Sequence, residues 1–138
     1  MILDYKNSAI RFTGRFAELD GSMTYTATGS AIEIAFSGES VLLKFDLENQ
    51  IYSYPHLWLQ IDGGAWFETQ VDWYVRVNAL NRDSHYLKIV LKSALEFQSR
   101  WNVPICAKLS FVSAEAEGAA ELHRDNRKTI EILGDSIT

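Results

Sequence analysis

The sequence predicts an all-β protein, an antiparallel β-sandwich of jelly-roll type. Two observations predict this fold class. Apolar residues recur at every second position in several segments, which is typical of strands that bury one face. Turn-forming residues separate these segments at intervals of roughly 8 to 12 positions, so that roughly nine or ten short strands fit in the chain.

Length and composition agree with one globular sandwich. The chain has 138 residues, of which 47% are hydrophobic, and a chain of this length can bury a substantial core. The formal net charge is −5, the acidic residues are scattered, and no basic stripe occurs. We therefore expect neither nucleic acid nor an anionic membrane surface as a partner, and we expect no cofactor.

The period of two is clearest in four segments, 31–38 (AIEIAFSG), 40–47 (SVLLKFDL), 85–93 (HYLKIVLKS) and 103–112 (VPICAKLSFV). Each alternates apolar residues with small or polar ones, so each predicts a half-buried strand. The residues predicted to face inward are Ile32, Ile34, Phe36, Val41, Leu43, Phe45, Leu87, Ile89, Leu91, Val103, Ile105, Ala107, Leu109 and Phe111. Cys106 lies within the last segment and is expected to be an inert core residue.

Turn sequences separate the strands. They are LDGSM at 19–23, FSGES at 36–40, IDGGAW at 61–66 and LNRDSHY at 80–86. The run Asp62-Gly63-Gly64 between two apolar stretches predicts a hairpin, because Gly tolerates positive φ. Segment 92–101 (KSALEFQSRW) has helical propensity, but it is short and lies between strands.

The C-terminal part of the chain changes in character. Residues 1–113 are predicted to form the sandwich, and residues 114–128 a linker, because this stretch is polar and rich in small residues. Residues 129–138 contain a short apolar run that ends in Gly-Asp-Ser, which is typical of a buried strand leading into a helix. We expect this stub to be the first strand of a second, α/β domain that the chain does not contain.

The sequence GDSIT after an apolar strand resembles the first conserved block of the GDSL, or SGNH, hydrolases, whose nucleophilic serine lies on the turn after the first strand. A sandwich placed before this block resembles carbohydrate esterase family 2, whose members carry an N-terminal jelly-roll domain. Further matches are RFTGRF at 11–16, YTATGSAIEIAFSGESVLLKF at 25–45, QIDGG at 60–64 and SHYLKIVLKSALE at 84–96. Tyr25 departs from this pattern, since a Trp is expected there.

The resemblance implies a serine esterase that acts on acetylated sugars such as xylan. In the intact enzyme Ser136 would be the nucleophile, Gly134 and Asp135 would shape its turn, and the Ser136 N–H would belong to the oxyanion hole. The family's Gly, Asn and His blocks do not follow Ser136 here, and a serine without a base is not activated. The chain alone is therefore predicted to be inactive, an accessory domain that shapes or supports its missing SGNH domain. Acetylated xylan or another oligosaccharide is the further expected partner.

An alternative function rests on the aromatic residues in the middle of the chain, Trp58, Trp66, Trp73, Tyr74 and Trp101. If the leucines beside Trp58 face the core, Trp58 points outward. Such residues can contact a sugar, pack on the core or on a neighbouring domain, or form contacts between molecules. Sugar contact would make the chain an autonomous carbohydrate-binding sandwich. A third interpretation is a complete sandwich in which GDSIT occurs by coincidence.

The histidines do not predict a metal site, because His56, His85 and His123 lack the spacing to cysteines or carboxylates that metal ligands show. Although Asp83 is close to it in sequence, His85 is interpreted as a residue that satisfies backbone groups of a turn at the start of a strand. Arg15 and Glu96 could pair with each other or line a cleft between domains.

A cytoplasmic location is expected. The first residues lack the basic start and apolar stretch of a signal peptide, and a single cysteine allows no internal disulfide.

Overall fold

The computed structural model of the chain describes residues 1–50, 54–93, 102, 104–123, 128 and 130. These residues form two six-stranded antiparallel sheets and contain no helix, and so none that could span a membrane. The strands are β1 (Ile2–Asp4), β2 (Ile10–Thr13), β3 (Ala17–Leu19), β4 (Ser22–Tyr25), β5 (Ala31–Ser37), β6 (Ser40–Asp46), β7 (His56–Ile61), β8 (Phe67–Gln70), β9 (Tyr74–Asn78), β10 (Ser84–Ser93), β11 (Leu109–Glu115) and β12 (Gly118–Ala119). The predicted all-β, antiparallel sandwich is confirmed.

The two sheets interleave along the chain. Sheet A has the order β3-β4-β11-β6-β9, with β1 also pairing with β11, and sheet B has the order β12-β5-β10-β7-β8, with β2 also pairing with β5. Among the described strands, only β3–β4 and β7–β8 are consecutive strands paired within one sheet. Most other connections therefore carry the chain from one sheet to the other, which holds the two sheets together. The jelly-roll designation stays a prediction.

The core lies between the sheets and includes the residues that the period of two assigns to the inner faces. Every inward residue predicted in segments 31–38, 40–47 and 85–93 is at most 1% exposed. In the fourth segment Ala107, Leu109 and Phe111 are fully buried. Burying one large apolar side chain stabilises the fold by about 1.5–3 kcal/mol, so alternation along these strands is enough to drive the sheets together.

Two of the predicted turns close hairpins. Asp62 (φ 50°) and Gly63 (φ 68°) turn the chain from β7 into β8, which confirms the hairpin predicted there. Asp20 (φ 47°) and Gly21 (φ 77°) join β3 to β4 in the same way. Positive φ at both central residues suits the right-handed twist of the flanking strands. By contrast, FSGES joins β5 of sheet B to β6 of sheet A.

The sandwich extends beyond the boundary predicted at residue 113. Strand β11 continues to Glu115, and β12 pairs with β5 inside the predicted linker. The small residues of this stretch have a packing role there: Ala114 is fully buried, and a Cβ on Gly118 would lie 2.7 Å from Ser37 Oγ. A stretch of small residues that pack closely thus cannot be distinguished from a flexible linker by composition alone. The assignment of 129–138 to a second domain stays a prediction.

Cys106 was expected in the core, and the structure corrects this expectation. It is half-exposed, and its thiol donates to the Pro104 carbonyl over 3.4 Å. The reason is that the inward positions of this segment are its odd-numbered residues, so Cys106 falls between Ile105 and the buried Ala107. Ile105 is itself only half-buried because β11 begins only at Leu109, and Val103 lies outside the described residues.

Candidate functional site

The predicted nucleophile turn, Gly134, Asp135 and Ser136, lies outside the described residues, as do Trp101 and Glu96. The catalytic role of Ser136 therefore stays a prediction.

A shallow, open depression lies on the outer face of sheet B and is lined by Trp58, Trp66 and Val90. Its volume is about 380 Å³. Val90 of β10 is the cross-strand partner of Trp58, and Trp58 is the partner of Glu68. Trp66 lies directly before β8 and lines the same depression as Trp58. The outward position predicted for Trp58 is confirmed, since Leu57 and Leu59 on either side of it are buried.

A charged network borders this depression. Lys92 Nζ lies 4.8 Å from the centre of the Trp58 ring and 2.6 Å from Glu68 Oε2, and His56 Nδ1 lies 2.7 Å from Glu68 Oε1. The hydrogen bond from Lys92 is the main reason that the pKa of Glu68 is lowered, and the contact with His56 adds to it. The Glu68 carboxylate therefore holds the Lys92 ammonium against one face of the indole, and a ligand can stack on the surface that remains.

Trp73 and Tyr74, which the sequence groups with Trp58 and Trp66, lie elsewhere. The chain passes from sheet B to sheet A between β8 and β9, so Tyr74 pairs with Lys44 on sheet A. Tyr74 is 56% exposed and lines a second groove of about 430 Å³ together with Ile2, Leu42 and Lys44. The four predicted carbohydrate contacts thus divide into a Trp58–Trp66 pair, Tyr74 on the other sheet, and Trp73 directly before β9.

A second polar cluster on sheet B, which sequence reasoning missed, surrounds Glu33. Glu33 is only 8% exposed; Arg11 Nε donates to its Oε2 over 2.5 Å, and the Tyr86 hydroxyl donates to its Oε1. Burial opposes ionisation of Glu33, but these two donors outweigh it and lower its pKa. Burial and the contact with Glu33 raise the pKa of Tyr86 to about 12. The signal in the sequence was a lone carboxylate inside the apolar run AIEIAF.

His85 has a structural role, as interpreted from the sequence, but its partner is Asp62 rather than Asp83. Its Nδ1 lies 2.6 Å from Asp62 Oδ2, and its Nε2 lies 3.1 Å from the Asn81 carbonyl oxygen. Both neighbours are acceptors, so the imidazolium form, with a proton on each ring nitrogen, satisfies both contacts. The bond to Asp62 is the main cause of the raised pKa of His85. The other Asp62 oxygen accepts the Tyr86 N–H over 2.8 Å, which ties the β7–β8 turn to β10.

The remaining candidates from the sequence, Arg15 and His123, do not join either polar cluster through their side chains. Arg15 is exposed, and the His123 carbonyl accepts a hydrogen bond from Arg11 over 3.2 Å. Within the described ranges, no three side chains of His, Cys, Asp or Glu are arranged to hold a metal ion.

Comparison with known proteins shows what the fold is similar to. No family profile and no curated protein sequence matches the chain. Solved structures do match. An acetyl xylan esterase from the rumen bacterium Butyrivibrio proteoclasticus has a TM-score of 0.65 and 14% identity, and the match covers 92% of this chain and 35% of that one. A family two carbohydrate esterase from Cellvibrio japonicus has a TM-score of 0.64 and 14% identity, and the match covers 86% of this chain and 33% of that one. A family two carbohydrate esterase from Clostridium thermocellum, in complex with cellohexaose, also matches, with a TM-score of 0.54 and 18% identity over 86% of this chain and 35% of that one.

These likenesses show the fold alone, because the identities are low. The chain spans about a third of the length of the esterases it matches. It therefore shares the fold of one part of those enzymes.

Proposed function

We propose that this chain is the non-catalytic sandwich of a carbohydrate esterase, an accessory domain that shapes or supports a following SGNH domain. The observation that carries the proposal is the fold shared with one part of family two esterases, in a chain whose last residues read GDSIT. A shared fold without the motif would be compatible with many functions. In the intact enzyme Ser136 is the nucleophile and Gly134 and Asp135 form its turn.

Within the described residues, no histidine of the sandwich is placed as the base that such a serine needs. His85 is 6% exposed, and both of its ring nitrogens are already engaged with Asp62 and the Asn81 carbonyl. His56 is oriented by Glu68, as a catalytic histidine is by its carboxylate. However, no described serine, threonine or cysteine forms a hydrogen bond with it. We therefore expect the 138-residue chain to have no esterase activity.

The test compares the 138-residue chain with a longer chain translated from the coding sequence past Thr138. The substrates are 4-nitrophenyl acetate and acetylated xylan. We expect acetate release from the longer chain only, and a loss of about a thousandfold or more in its Ser136→Ala variant, as for other serine nucleophiles. Turnover by the 138-residue chain, or full activity of the Ser136→Ala variant, would contradict the proposal.

A second candidate function is carbohydrate binding by the sandwich itself, which the open Trp58–Trp66 depression favours. Aromatic rings present flat apolar surfaces that suit the apolar faces of sugar rings. Titration with xylo- and manno-oligosaccharides should change the tryptophan fluorescence, and Trp66→Ala should remove the response. Trp73→Ala is the matched control, since Trp73 is equally exposed, at 45% against 44% for Trp66, but lies outside the depression. A chain that responds to no sugar does not have this function.

A further inference from the structure

Strand β10 carries two outward lysines, one on each side of Val90, and they differ in their partners. Lys92 is committed to Glu68 and to the Trp58 ring. Lys88 is half-buried and forms no ion pair with any residue in the described part of the chain. Residues two apart on a strand are roughly 7 Å apart and share a face, so Lys88 lies on the same face as Val90, which lines the depression.

Neither cross-strand neighbour of Lys88 forms an ion pair with it. On one side its cross-strand partner is Glu33, whose two carboxylate oxygens are already bonded to Arg11 and Tyr86. On the other side its partner is Gln60, a neutral amide that donates to the Gly64 carbonyl over 2.9 Å. The half-buried Lys88 side chain feels the charge of Glu33, but that carboxylate is bonded to two other groups, which leaves the ammonium able to pair with an anion.

The local charge is opposite in sign to that of the whole chain. On the outer face of sheet B, Lys88 and Lys92 stand on either side of Val90 against the Glu68 carboxylate, while Glu33 beside Lys88 is paired with Arg11. The chain as a whole has a formal net charge of −5. This local positive excess attracts an anionic ligand to the face.

We propose that the Trp58–Trp66 depression binds an acidic oligosaccharide, in which a sugar ring stacks on the tryptophans and a uronic acid carboxylate pairs with Lys88. This inference rests on the second candidate function, carbohydrate binding by the sandwich, and does not depend on the esterase. The aromatic surface binds sugar rings of many kinds, whereas the unpaired ammonium at its border selects those that carry a carboxylate.

The experiment measures the affinity of the 138-residue chain for two sugars of equal backbone length, by tryptophan fluorescence. One is neutral xylotetraose, and the other is xylotetraose with a single glucuronate substituent. At low salt we expect the acidic sugar to bind about fivefold more tightly, as for one partly exposed ion pair. The difference should shrink in roughly 0.5 M NaCl, since screening weakens such a pair.

Two variants locate the effect. Lys88→Gln should bring the acidic sugar down to the affinity of the neutral one and leave the neutral affinity unchanged. Lys44→Gln is the matched control, because Lys44 is an outward lysine on β6 of the other sheet, and it should preserve the preference. Equal affinities in the unsubstituted chain, or a preference that survives Lys88→Gln, would overturn the inference while carbohydrate binding stands. Binding of neither sugar would overturn both, and would leave the esterase proposal untouched.

Discussion

Two tyrosine hydroxyls in the sandwich should have opposite effects on stability. Tyr25 is 2% exposed, and its hydroxyl has no hydrogen-bond partner. The Tyr86 hydroxyl donates to the buried carboxylate of Glu33. Tyr25→Phe and Tyr86→Phe each remove one oxygen atom from a ring that otherwise keeps its packing, so the pair isolates the hydrogen bond from the hydrophobic contribution.

The magnitudes follow from what each oxygen loses on folding. A buried hydroxyl without a partner costs about 1–3 kcal/mol in lost hydration, so Tyr25→Phe should raise the free energy of unfolding by about 1 kcal/mol. Tyr86→Phe leaves Glu33 buried with Arg11 as its remaining side-chain donor. A hydrogen bond to a charged group contributes about 1.5–3 kcal/mol, so this variant should lose about 2 kcal/mol.

Urea unfolding followed by tryptophan fluorescence measures both effects. The midpoint should move up for Tyr25→Phe and down for Tyr86→Phe, with the slope of the transition unchanged in both, because neither variant alters the surface exposed on unfolding. If Tyr25→Phe lowered the midpoint by as much as Tyr86→Phe does, the Tyr25 hydroxyl would have to be satisfied in solution, and the reasoning from its burial would be refuted.

Three further predictions concern charge, backbone and core. The pKa of His85 is raised on folding and that of Asp62 is lowered, because hydrogen bonds to Asp62 outweigh its burial. The contribution of His85 to the free energy of unfolding is therefore complete below its unfolded pKa of about 6.5, and it is lost as pH rises through the raised folded pKa. The contribution of Asp62 is lost as pH falls below its unfolded pKa of about 3.8. Urea midpoints should thus decline in alkaline buffer, and more steeply than in His85→Gln. Gly38→Ala should lower the free energy of unfolding by about 1–3 kcal/mol, since the φ of Gly38 is +117° and the new Cβ would lie 2.7 Å from Glu117 Cγ. Gly29→Ala is the control, because Gly29 has a φ of +84° but open space around it. An equal loss in both variants would show that backbone strain, and not the contact with Glu117, sets the cost. Leu59→Ala, at a site 1% exposed, should cost about 2–5 kcal/mol in thermal or urea unfolding, and a cost below that range would mean that the core collapses around the gap.

The alternation of apolar residues was sufficient to predict most of the fold. It identified the inner faces of β5, β6, β7 and β10 residue by residue, because in a strand the side chain at each position points to one face or the other regardless of the partner strand. The Asp62-Gly63 hairpin was predictable from its turn residues, because that signal is local. Alternation failed at Ile105, which precedes the strand to which the rule applies. Composition failed at Cys106, an apolar residue type that is half-exposed, and at 114–119, where closely packed small residues have the composition of a linker.

The sequence by itself determined the class of fold, the inner faces and the motif that points to an esterase, since all three depend on neighbours along the chain. Only the tertiary structure decided which side chains meet. It paired His85 with Asp62 rather than Asp83, and Glu33 with Arg11 and Tyr86. It kept Trp58 and Trp66 on sheet B while Tyr74 went to sheet A. The physical reason is that strand register and the crossing from one sheet to the other bring together residues distant in the chain and separate those that are close, and alternation carries no information about either.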